Sequence, residues 1–165
     1  MATDEDYLQF KRRFDQSHVK LKLPPDCVEQ TPPTASNVHL YSWMFDWVVV
    51  FNSDNKYLRV RESHDKVGGL AHSRRLGFVF HYGPIVQRDV DGNIVWKSGD
   101  PLDIRIDTSG GAVHLHYQDP APHHPQANVK GLSLNSIDVF KFVRAVLQHR
   151  RSGKPLNEIL GFQIG

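Results

Sequence analysis

The chain has 165 residues and a mass of 18.9 kDa, with 39% hydrophobic and 23% charged residues, which is enough for one domain with a real core and excludes a disordered chain. Twenty Lys and Arg against 18 Asp and Glu leave a net charge of +2, so net charge alone does not mark a dedicated polyanion binder. The single cysteine, Cys27, excludes an intramolecular disulfide framework and a cysteine-built zinc cage.

The start Met1–Asp6 lacks the positive-then-apolar order of a signal peptide, and no apolar run has the length of a membrane span. A soluble, cytoplasmic protein with no membrane partner is expected. Residues 4–17 follow, with Tyr7, Leu8, Phe10 and Phe14 at helical spacing, acidic residues first and basic ones last. Residues 19–23 alternate Lys with aliphatic residues, the pattern of an edge strand. Pro24, Pro25, Pro32 and Pro33 mark residues 24–37 as a linker. The expected division is therefore residues 1–40, a helix, an edge strand and a Pro-rich linker, and residues 41–165, one α+β domain.

The middle of the chain reads as β. Residues 43–51 (WMFDWVVVF) form a nearly continuous apolar run, expected of a strand buried on both faces. After the turn residues 52–55, residues 57–62 (YLRVRE) alternate, and the two runs are expected to pair as a hairpin. Leu76–Tyr82 (LGFVFHY) is a third strand. Residues 85–96 read as a small inserted hairpin, with Asp91-Gly92 as a type I′ turn. Residues 102–107 (LDIRID) and 112–117 (AVHLHY) alternate again on either side of Gly110-Gly111. Residues 118–128 read as an irregular loop of Pro and His. A C-terminal amphipathic helix over residues 136–151 carries Ile137, Phe140, Val143, Val146 and Leu147 on one stripe, with Asn135 as its cap and Gly153 as its stop. The apolar tail 156–164 is expected to dock back. The expected fold is α+β: an antiparallel sheet of five to seven strands, with an N-terminal and a C-terminal helix packed on it.

Histidine is the unusual residue: there are ten, five of them between His81 and His124. His114 and His116 stand two residues apart on a strand, hence on one face, and Arg105 and Asp107 share a face of the preceding strand. A hairpin between them would bring all four onto one polar patch, with His81 joining from a neighbouring strand. Cleavage of RNA through its 2′-hydroxyl needs a base, an acid and a cation for the developing charge. Two imidazoles and Arg105 meet that need without a metal, and Asp107 would orient a histidine. The same residues offer a second chemistry, since His114, His116 and Asp107 could hold a divalent ion, with His123 or His124 completing the shell. Arg74 and Arg75, with Arg144 and Arg151 on the C-terminal helix, are candidates to grip substrate phosphates.

The order of these motifs resembles the TumE-like family, small toxin components of bacterial toxin–antitoxin pairs. Members carry a charged strand, a strand of alternating aromatics ending in His-Tyr or Tyr-His, an Arg-Tyr-Asp strand and a Pro-His-x-His segment before a C-terminal helix. The corresponding stretches are residues 57–62 (YLRVRE), 75–82 (RLGFVFHY), 104–107 (IRID) and 114–116 (HLH). The resemblance implies growth-inhibiting toxicity, RNA cleavage and neutralisation by a DNA-binding antitoxin, with Arg105, Asp107, His114 and His116 at the matching positions. The expected function is that of a toxin-like, metal-independent endoribonuclease with no cofactor. Its expected partners are RNA, a cognate antitoxin and a second copy of the chain. The alternative is a non-catalytic interaction module in a bacterial complex.

Overall fold

A computed structural model describes residues 12, 16, 21–39, 42–65, 74–118 and 122–165. Its centre is a seven-stranded antiparallel sheet in the order β1-β2-β3-β4-β7-β8-β9, with β1 and β9 at its edges. The strands are β1 (Cys27–His39), β2 (Ser42–Phe51), β3 (Lys56–Asp65), β4 (Arg74–Pro84), β7 (Ile104–Asp107), β8 (His114–Tyr117) and β9 (His123–Pro125). Between β4 and β7 the chain leaves the sheet to form the hairpin of β5 (Gln87–Arg88) and β6 (Ile94–Val95).

Alternation sorts the strands' side chains into two sets. Trp47, Leu58, Val60, Phe80, Ile104, Ile106 and Leu115 lie on one face and are at most 1% exposed. Helix α1 (Val139–Ser152) covers that face against β3 and β4, and its Phe142 ring packs 5.4 Å from Phe80. The tail follows as α2 (Leu156–Leu160), burying Leu156, Leu160 and Phe162. A short ribbon of β10 (Val129–Lys130) and β11 (Gln163–Ile164) ties it down. Gly131 serves this junction: its φ is +86°, and an added Cβ would meet the Gly161 carbonyl oxygen at 2.6 Å. On the other face, Val48, Val50 and Tyr57 are buried beneath Ile94 of the small hairpin. Residues 47–51 are therefore buried on both faces, as their composition implied.

Four expectations are corrected. Residues 27–39 are a strand paired with β2 rather than linker, so the sheet begins before residue 41. The prolines are tolerated because β1 is an edge strand and its register shifts between Glu29 and Thr31 and again between Thr31 and Thr34, around Pro32 and Pro33. Second, Leu21 is helical and residues 22–24 have no regular structure, so no strand occupies residues 21–23; Leu21 is buried in the core instead. Third, the helix cap is Asp138, whose carboxylate accepts the Lys141 N–H at 2.8 Å. Leu134–Ser136 form a 3-10 turn and Ile137 is extended, which buries Leu134 and Ile137 before the helix starts. Fourth, only Gly92 of the 85–96 turn has positive φ, with the Gly92 N–H donating to the Asp89 carbonyl at 3.0 Å, so the turn is not type I′. The expected N-terminal helix lies outside the described residues except for Arg12 and Gln16, both helical. Among the described residues no helix is long and apolar enough to cross a membrane.

Candidate functional site

Register places the polar side chains of the outer face in two cross-strand rows. Arg59 of β3 lies opposite His81 of β4, His81 opposite Arg105 of β7, Arg105 opposite His116 of β8, and His116 opposite His123 of β9. In the next row, Arg61, Val79, Asp107, His114 and Pro125 follow one another in the same way. Adjacent strands are about 4.8 Å apart, so neighbours in a row are within reach of each other.

Asp107 is the hub. It is 2% exposed, and its Oδ2 accepts from the Arg105 Nε at 2.7 Å. Its Oδ1 accepts from the Ser109 N–H at 2.9 Å and lies 2.9 Å from the His114 Nε2. Burial pushes the Asp107 carboxyl up, but the Ser109 N–H, the Arg105 guanidinium and the His114 ring outweigh it and hold the carboxyl below its usual value. The other ring nitrogen of His114, Nδ1, lies 3.0 Å from the Ala112 carbonyl oxygen. Both nitrogens of His114 therefore face acceptors.

The three imidazoles of β8 and β9 form a cluster. Ring centroids are 5.1 Å apart for His114 and His116, 4.0 Å for His114 and His123, and 5.6 Å for His116 and His123. One donor atom each from Asp107, His114 and His116 lies within 4.8 Å of the others, so these three residues could hold a metal ion. His81 belongs to the row but not to this cluster. It is 1% exposed, its ring stacks on Tyr57 at 4.8 Å, and its Nδ1 takes a long 3.5 Å contact from Arg105. Burial, with the charges of Arg105 and Arg59, lowers its pKa to about 3. It is neutral at ordinary pH and serves as a platform beneath Arg105 rather than as a proton carrier.

Beside the cluster, a pocket of about 300 Å³ opens between the sheet and the β5–β6 hairpin. Tyr57, Arg59, Arg61, His81, Trp96 and Arg105 are on its walls. The Arg105 guanidinium lies 3.8 Å over the Trp96 ring. Asp46 pairs with Arg61 at 3.0 Å and Arg59 at 3.3 Å. Among the described residues, the buried His81 Nε2, Arg61 Nε and Trp96 Nε1 have no hydrogen-bond partner.

Of the residues expected from the sequence, Arg105, Asp107, His114 and His116 come together, and His81 adjoins them. Of the expected phosphate-gripping arginines, Arg75, Arg144 and Arg151 do not. Arg75 donates to the Glu62 carboxylate at 3.2 Å and to the carbonyls of Ile137 at 2.7 Å and Asn135 at 2.6 Å, anchoring the approach to α1 on the sheet's covered side. Arg144 and Arg151 are exposed on α1, in the layer behind the sheet. Arg74 pairs with Asp65 through its backbone at the far end of β4. Two participants were missed, and a third, His123, was expected in a loop. Arg59 and Arg61 stand on one side of an alternating strand, and the strand order carries that side to Arg105. His123 sits in a stretch read as loop, yet Leu115 pairs with His124 and His116 with His123, making it an edge strand. No protein-family model matches the chain, and neither a curated protein nor a solved structure matches it.

Proposed function

We propose that the protein cleaves the phosphodiester backbone of RNA on the outer face of its sheet, as a toxin-like ribonuclease. One observation carries the reading: Arg105, Asp107, His114 and His116 share a single face with His123, beside a pocket walled by arginines and aromatic rings. In the metal-free reaction a base takes the proton of the 2′-hydroxyl as the 2′-oxygen bonds to phosphorus. The bond from phosphorus to the 5′-oxygen breaks, and an acid gives that oxygen a proton. The products are a 2′,3′-cyclic phosphate and a 5′-hydroxyl.

The geometry favours a different division of labour from the one expected. Both nitrogens of His114 are engaged, at Asp107 and at the Ala112 carbonyl. His114 therefore fits a positioning part better than that of a base. Proton transfer falls to His116, which is half-exposed, and to His123, which is exposed. Arg105, held by Asp107, faces the charge that develops on the phosphoryl oxygens. The half-buried Trp96 with Arg59 and Arg61 suits a single-stranded nucleotide, whose base stacks while its phosphate meets a cation. As a toxin, the protein would be held inactive by a cognate antitoxin covering this face.

The test is incubation of the purified protein with matched RNA and DNA oligonucleotides. RNA is expected to be cut to 2′,3′-cyclic phosphate ends while DNA stays intact. His116→Ala should reduce the rate by about 100-fold or more with the circular dichroism spectrum unchanged. Intact RNA, or cleavage undiminished in His116→Ala, refutes the reading.

A further inference from the structure

We propose that Asp107, His114 and His116 bind one divalent transition-metal ion as a two-histidine, one-carboxylate site. This goes beyond the ribonuclease reading and does not need it, and an ion bound to His116 takes that ring out of the metal-free reaction.

The donors converge. Asp107 and His114 are directly opposed across the β7–β8 ladder, and His116 is the next residue of β8 on the same face. One donor atom from each of the three lies within 4.8 Å of the other two. A metal with bonds of about 2.0–2.2 Å spaces neighbouring donors by about 3–3.5 Å. The His114 Nε2 and the Asp107 Oδ1, at 2.9 Å, already stand close to that spacing.

The donors are also held in place. The Nδ1 of His114 points at the Ala112 carbonyl at 3.0 Å. A proton shared there leaves the Nε2 lone pair aimed at the cluster, which is the usual support for a metal-bound imidazole. With that lone pair free it faces a carboxylate oxygen at 2.9 Å, and an ion between the two takes the place that a ring proton otherwise fills. The carboxylate is oriented as well: Arg105 holds its Oδ2 at 2.7 Å and Ser109 N–H reaches its Oδ1 at 2.9 Å. A solvated surface pair has no reason to carry such a backing, whereas a metal site loses affinity when that backing is removed.

Two imidazoles with one carboxylate suit zinc, iron, cobalt or nickel, and are a poor set for magnesium or calcium, which prefer oxygen. Three protein ligands leave positions open for water or a substrate oxygen. The ring of His123, 4.0 Å from His114, stands beside those positions.

The experiment uses the full chain without a histidine tag, stripped with a chelator and titrated with Co2+ and with Zn2+ by calorimetry. The cobalt visible spectrum is recorded in parallel. One ion per chain is expected, with a cobalt spectrum of a low-symmetry nitrogen–oxygen site. Asp107→Asn and His116→Ala should each weaken binding by at least about 10-fold, while His149→Ala, remote on α1, should leave it unchanged. Should Asp107→Asn fail to fold, His116→Ala at its half-exposed position decides the matter. Absence of binding, or binding unaffected by His116→Ala, overturns the proposal. A single bound ion lost in these variants, with RNA left intact, retains the metal site and retires the ribonuclease reading. RNA cleavage by a chain that takes up no ion does the reverse.

Discussion

The two faces of the sheet are made from alternate residues of the same strands, yet they solve opposite problems. The covered face is built of Trp47, Val60, Phe80, Ile104, Ile106 and Leu115, all 0% exposed, against α1. Its stabilisation is the removal of apolar surface from water, which is non-directional and tolerant of detail. The outer face carries Arg59, His81, Arg105, Asp107, His114 and His116 in strict register. Burial works against those groups unless each finds a partner. The comparison separates what holds the fold from what is available for chemistry, because the first set can change without touching the second.

The largest effect should come from the covered face. Phe142→Ala removes a fully buried ring that packs on Phe80 and should cost about 3–5 kcal/mol in denaturant unfolding. RNA cleavage and metal binding, measured where the variant remains folded, should stay as in the parent chain. Loss of either activity in a folded Phe142→Ala protein would mean that the two faces are not independent.

A smaller effect sharpens the contrast from the outer side. His81 titrates at about 3 when folded, against an ordinary value of 6.5. Between those values only the unfolded chain takes up its proton, so stability falls as the pH drops below about 6.5. The loss is about 1.4 kcal/mol per pH unit. His81→Phe keeps a ring on Tyr57 and should remove that part of the slope. Asp107, lowered from its usual 3.8, has the same sign but a separate window. Its contribution is present above that value and is lost as the pH falls through its folded pKa. A parent chain whose unfolding midpoint is flat between pH 6.5 and 5 would contradict the burial of a neutral His81.

The smallest effect is expected at the arginines first assigned to substrate. Arg144→Gln and Arg151→Gln lie on the exposed side of α1. Each should change stability by no more than about 0.5 kcal/mol and leave RNA cleavage at the parent rate. A marked loss of cleavage would place substrate on the helical layer and not on the open sheet face.

Much of this was legible along the chain. The alternation in residues 57–62, 76–82, 102–107 and 112–117 gave the strands and already put Arg105 with Asp107 and His114 with His116, since a strand has only two sides. The helix stripe and its Gly153 stop, with φ at +72°, were equally local. Other features were not local. Residues 27–39 look like linker because proline disfavours strands, and only the vacant edge beside β2 makes them one. His123 lies in a three-residue strand too short to have a period, and it joins the cluster only because β8 offers it a register. Arg75, Arg144 and Arg151 carry the same charge as Arg59 and Arg61. Which of them reach the site depends on which face α1 covers.

The amino-acid sequence by itself therefore determined the strands, the C-terminal helix and the pairwise placement of the imidazole, guanidinium and carboxylate groups, because these follow from side-chain period along a few residues. Only the tertiary structure decided the partners: which strands close the sheet's edges, which arginines stand beside the histidines, and that Asp107 lies between Arg105 and His114. Those outcomes rest on contacts between residues distant in sequence, and no local period encodes them.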